Sequence, residues 1–309
     1  MLRQAQHEQI QYKNPNLISV RSFDELRTGS ELVEGLRESL TVTCYRWEMK
    51  TVLAFTLLLW GVLLGGVAHS ACRELDVARG WFRPAYAAEP DVTLEFFGHN
   101  FFQITSAKGT RIVTDPVTPG FYPTPNLAPD AITVGREHPN HNFVEIAKNG
   151  PVLLRGLGNY GAEWNKVSTT VKDILVYTVP IYQQQFGNAL KGAAFVFDLG
   201  TICVAHLGDL AHKLTEDQVK AFGKVDIAMI PIGGMFTMPP DTAREVLQQL
   251  KPKIAIPMHY RENTGLLDMF VKGYPNKYLN NYKATFSKQA LPAPTQVVVF
   301  TPWQMRDYR

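Results

Sequence analysis

From Pro90 onward the chain is cut into short apolar runs by Gly, Pro, Asn and Asp. Residues 92–97, 101–105 and 111–115 read as strands, joined by turns at Gly98-His99-Asn100 and Lys108-Gly109. A Pro-rich loop from Pro116 to Pro129 follows, then a strand at 131–134, a short helix at 142–148 and a strand at 151–154. The second half repeats this texture, with strands at 175–179, 194–199, 201–205, 227–230 and 254–257. A helix at 215–222 takes Thr215 as N-cap, with Asp217 in its first turn. Another at 241–250 follows Pro239-Pro240 and ends at Lys251-Pro252. Strands and helices mixed in both halves suit two packed sheets with helices outside. There is no short tandem repeat.

Composition narrows the function classes. A chain of 309 residues with 45% hydrophobic and 19% charged residues is globular. A net charge of +3, without a basic block interleaved with aromatics, argues against a nucleic-acid partner. Cys44, Cys72 and Cys203 form neither a CxxC pair nor a disulfide framework, and Cys203, inside an apolar run, reads as a buried small residue.

Residues 51–68, TVLAFTLLLWGVLLGGVA, carry no charge and follow Arg46 and Lys50. The stretch fits a membrane span or a signal-peptide core. Two small-residue sites follow: His69-Ser70-Ala71-Cys72, a poor lipobox, and Ala85-Tyr86-Ala87, an A-x-A site. The expectation is a periplasmic, secreted or membrane-anchored protein, with cleavage versus anchoring left open. Residues 1–48 read as a tail, 49–90 as signal or anchor plus linker, and 91–309 as the domain.

Four places just after strands hold candidate ligands: Arg136-Glu137-His138-Pro139-Asn140-His141, Tyr182-Gln183-Gln184, His206-Leu207-Gly208-Asp209 and Pro257-Met258-His259-Tyr260. Neutral imidazole and carboxylate bind Zn²⁺ and similar ions, and open catalytic sites keep three protein ligands plus water. One His in a loop says little. Four such places at the same position relative to a strand say much more.

These residues carry a resemblance. FFGHNFFQI (96–104), HLGDLAHKLTEDQ (206–218), VDIAMIPIGGMFTM (225–238) and KPKIAIPMHY (251–260) occur in the order and spacing of metallo-β-lactamase-fold metal-dependent hydrolases. The chain is most similar to the branch that includes relatives of ascorbate-6-phosphate lactonase. The resemblance covers the last two-thirds of the chain and implies an α/β, four-layer αββα sandwich.

The family motif H-x-H-x-D-H here reads R-E-H-P-N-H: His138 and His141 match, Arg136 replaces a His and Asn140 an Asp. Gln183 stands where a middle His is usual, Asp209 matches the bridging carboxylate and His259 the last His. By this correspondence one metal site, at Arg136, His138, Gln183 and Asp209, is broken. The other keeps His141, Asp209 and His259. The implied activity is hydrolysis of an ester, lactone or phosphoester with one metal at most (zinc, or manganese or iron). The ion would lower the pKa of water from about 15.7 toward roughly 7. Asp209 would orient the nucleophile, and Arg136 or His138 would stabilise negative charge. Arg136 could equally pair with Asp209 or orient an anionic small-molecule substrate.

His99, Asn140 and Gln183 are expected in the shell around the ligands, with His206 and His212 supporting Asp209. Gly233-Gly234 are expected to allow close backbone approach, Met235, Phe236 and Met238 to line a wall, and Tyr260 to donate to substrate or close its loop. Two other readings remain: a non-catalytic protein binding a small anionic ligand or partner, and an enzyme recruiting Glu137 or Asn140 as a ligand.

Overall fold

The structure, a computed structural model, describes residues 70–72, 90–120 and 122–303. Residues 1–69, including the 51–68 stretch and Cys44, and the Ala85-Tyr86-Ala87 site lie outside the described residues. Among the described residues no helix is long and apolar enough to cross a membrane.

Two mixed sheets face each other. The first has six strands in the order β15-β1-β2-β3-β4-β5, built from β1 (Val92–Gly98), β2 (Phe101–Ser106), β3 (Arg111–Thr114), β4 (Ala131–Val134), β5 (Val152–Arg155) and β15 (Lys283–Phe286). The second has eight, in the order β14-β16-β13-β12-β11-β10-β9-β8. Its members are β8 (Ser168–Val171), β9 (Ile174–Gln185), β10 (Asn188–Asp198), β11 (Cys203–His206), β12 (Ile227–Pro231), β13 (Ile254–Met258), β14 (Asn276–Tyr278) and β16 (Gln296–Val299). A two-stranded ribbon, β6 (Leu157–Gly158) with β7 (Glu163–Trp164), lies between them in sequence.

Alternating apolar residues of both sheets make the inner core, where Leu94, Phe102, Ile104 and Ile112 share one cluster with Phe195, Phe197, Met229 and Ile256. The helices α1 (Glu216–Phe222), α2 (Pro240–Leu250) and α3 (Thr264–Val271) cover the outer face of the second sheet through Phe222, Val246, Leu247 and Phe270. Over the outer face of the first sheet the described residues supply loops and a single 3-10 turn, Val144–Ile146, where the sequence suggests a helix at 142–148. Thr215 caps α1 as expected and forms a full capping box with Gln218.

The main departure from the sequence reading is the β9–β10 hairpin. It extends to Gln185 and begins again at Asn188, well beyond the apolar runs that mark it in sequence. Its tip carries Gln184, Gln185, Asn188 and Lys191, none of them buried, because it projects past the core, where alternation of apolar residues is not required. Phe186 and Gly187 turn the chain with positive φ, the geometry that matches strand twist in a two-residue hairpin.

Chain direction places the site. Strands β11, β12 and β13 run parallel, as do β3 and β4, and β1 shares the direction of β3 because both are antiparallel to β2. The loops that follow β1, β3, β4, β11, β12 and β13 therefore emerge at one end of the sandwich.

Candidate metal centre

His99, His141 and His259 gather there, each from a different loop, with one ring nitrogen apiece within 4.8 Å of the others. All three are buried. The His99 ring lies 3.9 Å from that of His259 and 5.0 Å from that of His141. Nε2 of His141 is 3.3 Å from Asp209 Oδ2, and Nε2 of His259 is 3.5 Å from Asp209 Oδ1. Ligand atoms placed about 2.0–2.2 Å from a zinc-sized ion stand roughly 3.3–3.6 Å apart in a tetrahedron. The imidazole–carboxylate spacings already match that edge. Nε2 of His99 is buried and has no hydrogen-bond partner. A buried imidazole nitrogen left bare is costly unless something else meets it. Three clustered imidazoles, two of them 3.3 and 3.5 Å from the Asp209 carboxylate, are donors that suit Zn²⁺ and its neighbours.

The backbone is bent to make this cluster. His99, Asp115 and His259 have φ of 56°, 40° and 57°, the left-handed region that non-glycine residues rarely occupy. Such strain accumulates at functional sites. The His259 backbone N–H donates to the His99 carbonyl at 3.1 Å, which ties the two loops together. Gly233 fits beneath them: a Cβ there would fall 2.1 Å from the His259 carbonyl oxygen and 3.0 Å from its Nδ1. The expected close backbone approach at this glycine is thus to a ligand loop.

Asp115 holds His141 in place. Its Oδ2 accepts from His141 Nδ1 at 3.1 Å and its Oδ1 from the Gly135 N–H at 2.7 Å. With Nδ1 on Asp115, Nε2 is the nitrogen of His141 that faces Asp209. The sequence reading missed Asp115, although it ends β3 just as the other polar residues end their strands. It also missed Asn100, whose Nδ2 donates to Asp209 Oδ1 at 2.7 Å.

Asp209 is the electrostatic hub. Burial alone would raise its pKa, but His141, His259 and Arg136 hold it far below the ordinary carboxylate range. Arg136 Nη1 donates to Asp209 Oδ2 at 2.7 Å, Nη2 reaches Gln185 Oε1 at 3.2 Å, and the guanidinium sits 5.9 Å from the Phe236 ring centre. Burial lowers the pKa of His99 well below 6.5, aided by the neighbouring His259 and His141, and burial also lowers that of His259. Both are neutral, lone-pair-bearing groups at pH 7. His141 differs: burial opposes its charge, but Asp209 and Asp115 outweigh it and raise the pKa.

Several expected residues stand elsewhere. His99, expected beside the ligands, is inside the cluster, whereas His138, expected as a ligand, is outside it. His138 is only half-buried, its Nδ1 accepts the Asn140 backbone N–H at 3.2 Å, and its ring centre lies 6.3 Å from that of His141. The tight Pro139 turn points it away. Asn140 is partly exposed in the same loop.

Gln183 lies within β9 rather than after a strand, and its Nε2 donates to the Lys191 carbonyl across the hairpin at 2.6 Å. His206 donates to the Asn100 carbonyl at 2.9 Å, so it supports the Asn100 turn and not Asp209 directly. His212 accepts the Tyr182 N–H, away from Asp209. Glu137 pairs with Arg155 at 2.6 Å and borders an open cleft with Asn142 and Phe143. Tyr260 and Met238 are buried in the helix-side cluster, whereas Met235 is exposed and Phe236 meets Phe186 edge-on at 6.1 Å.

Two facing mixed sheets with a histidine-and-carboxylate centre at one shared end define a metal-site sandwich protein. The beta-lactamase superfamily domain matches residues 93–259, more than half the chain. A metal-dependent hydrolase of Thermococcus onnurineus is 32% identical over 194 residues, covering 55% of this chain and 84% of its own length. One from Staphylothermus marinus is 26% identical over 243 residues, covering 70% and 98%. The crystal structure of a metallo-β-lactamase-superfamily protein from Thermotoga maritima is similar with a TM-score of 0.53 and 28% identity, over 68% of this chain and 98% of that one. The chain belongs to the metal-dependent hydrolase family of the metallo-β-lactamase superfamily.

Proposed function

We propose that the protein is an exported hydrolase that works with a single ion held by His99, His141, His259 and Asp209. The observation that carries this reading is the cluster of one ring nitrogen each from His99, His141 and His259 within 4.8 Å, in which the buried Nε2 of His99 has no hydrogen-bond partner. When bound, a zinc, manganese or iron ion there supplies Lewis acidity and a water that ionises near neutral pH. Asp115 fixes the His141 tautomer, and Asn100 and Arg136 fix the orientation of Asp209. Arg136 supplies a permanent positive charge where relatives of the fold place a second ion, and can stabilise charge developing on an ester, lactone or phosphoester. Its guanidinium is already engaged by Asp209 and Gln185. That favours a neutral or weakly anionic small molecule over one needing Arg136 as its sole partner. Export is supported by the apolar 51–68 stretch and by a Cys72–Cys203 disulfide, since such bonds persist in oxidising compartments.

The test is elemental analysis of the purified full chain together with hydrolysis of aryl-ester, lactone and phosphodiester probes. The expected content is about one ion per chain, lost in His99→Ala and His259→Ala but kept in His138→Ala. A well-ordered protein that retains no metal at neutral pH would sink the reading, and so would a His99→Ala variant that binds metal like wild type.

A further inference from the structure

Cys72 belongs to a motif that the metal centre does not use. It is the last residue of His69-Ser70-Ala71-Cys72, followed in sequence by Ala85-Tyr86-Ala87. A lipobox reading would acylate Cys72, and cleavage after Ala87 would discard it. We infer that neither happens: Cys72 is a permanent disulfide partner of Cys203, and residues 70–72 are a built part of the hydrolase domain that keeps the preceding segment attached to it. This inference rests on the export reading and not on the hydrolytic one.

Three separate features of the domain surface fit this short segment. The first is Asp198, a buried carboxylate at the end of β10. It accepts from Ser70 Oγ at 2.6 Å, from the Ala71 N–H at 2.9 Å and from the Cys72 N–H at 3.2 Å. A carboxylate at this depth needs such donors. Within the domain proper it is also met by the Gly200 N–H at 2.9 Å. The second is the turn after α1. The Lys224 N–H donates to the Cys72 carbonyl at 2.8 Å, and a Cβ on Gly223 would fall 2.2 Å from that same oxygen. With φ of +70°, Gly223 is both the stop of α1 and a notch for the incoming carbonyl. The third is the sulfur of Cys203, at the start of β11, bonded to Cys72 with a Cα–Cα distance of 5.1 Å, well within the range disulfides adopt. Cys72 itself is fully buried.

In the folded domain the Cys72 sulfur is buried and bonded to Cys203, and so is closed to an acyl donor. Forming the bond joins the two sulfurs as both thiols lose their protons. The electron pair passes to the disulfide of a thiol oxidoreductase, which leaves as a dithiol. Hydrolysis of the chain at Ala87 would then give two polypeptides held together by one disulfide. Such a nicked protein would separate only after reduction and release of the Asp198 contacts.

The full chain, produced in an exporting host, would be denatured with and without reductant and its thiols counted by maleimide labelling. Disulfide-linked tryptic peptides would be mapped in parallel. The expected result is a Cys72 peptide joined to the Cys203 peptide, no fatty acyl group on either, and two thiols gained on reduction that Cys72→Ala with Cys203→Ala abolishes. In the wild type, Asp198→Asn is expected to speed reduction of the native bond by dithiothreitol several-fold. An exported chain in which Cys72 is a free thiol, acylated or absent overturns this inference alone. A chain found in the cytosol with both thiols free overturns it together with the export reading.

Discussion

Opening the Cys72–Cys203 bond is expected to cost the domain a large part of its stability, and the size follows from the chain between the two residues. They are 131 residues apart. In the loop-entropy account, a closed loop of that length removes about 17 cal/mol/K from the unfolded chain, or about 5 kcal/mol at room temperature. The folded state changes less, because reduction leaves the Asp198 and Lys224 contacts to residues 70–72 intact. At about 2–4 °C per kcal/mol for a domain of this size, the melting temperature should fall by roughly 10–20 °C. Calorimetry of the wild type with and without phosphine reductant measures this. The Cys72→Ala, Cys203→Ala variant provides the same comparison without reductant. Since the two perturb packing differently, agreement between them isolates the loop constraint. A fall under about 3 °C in both, with the wild-type bond shown open, would refute the claim that the segment staples the fold.

Restoring the missing ligands by Arg136→His, Asn140→Asp and Gln183→His together should raise bound metal from about one toward two ions per chain, read by elemental analysis. No gain would remove the assignment of those positions. Gly233→Ala should destabilise the protein by about 1–3 kcal/mol and weaken metal retention, because its Cβ would press on the His259 carbonyl. Urea unfolding and metal titration read the two effects. His206 is buried with its pKa lowered by desolvation. Below pH 6.5 the unfolded chain takes up a proton there that the folded chain resists, so this group's contribution to stability is lost as pH falls. Urea midpoints at pH 7.5 and 5.5 should differ less in His206→Gln than in wild type. An equal difference would show that His206 is not part of the acid response.

What the sequence makes legible is the inner sheets and the ends of their strands. Apolar runs such as Ile112-Val113 and Ile254-Ala255-Ile256 are buried on both sides and so declare themselves. The polar residues after them can only lie at strand ends, which is why His141, Asp209 and His259 stand out. The outer half of the β9–β10 hairpin is illegible by the same logic, because it leaves the core and needs no apolar pattern. Asp115 is hidden because it reads as the last residue of the strand 111–115, and its role depends on a hydrogen bond to a residue 26 positions away. His99 and His138 exchange expected positions because a sequence comparison aligns residue types but not the direction in which a side chain points. The disulfide is hidden for a simpler reason. Nothing in the spacing of Cys72 and Cys203 says that a three-residue segment packs beside β11.

The charge balance around Asp209 explains why loss of one set of ligands leaves a coherent centre. A carboxylate as buried as Asp209 needs partners that carry positive charge or donate hydrogen bonds. Here its two oxygens receive Arg136 and Asn100 at 2.7 Å each. The guanidinium brings its own positive charge to Asp209 without the help of an ion. Under the proposed single-ion reading the same cation would repel an incoming dication, and the donors around the ion would have to offset that repulsion. Two of its imidazoles, His99 and His259, are held neutral by burial, and His99 adds a donor that the Asp-to-Asn change at position 140 takes away. Under that reading the residues at 136, 140 and 99 are linked: Arg136 and Asn140 stand where the resemblance places ligands, and His99 supplies a third imidazole beside His141 and His259.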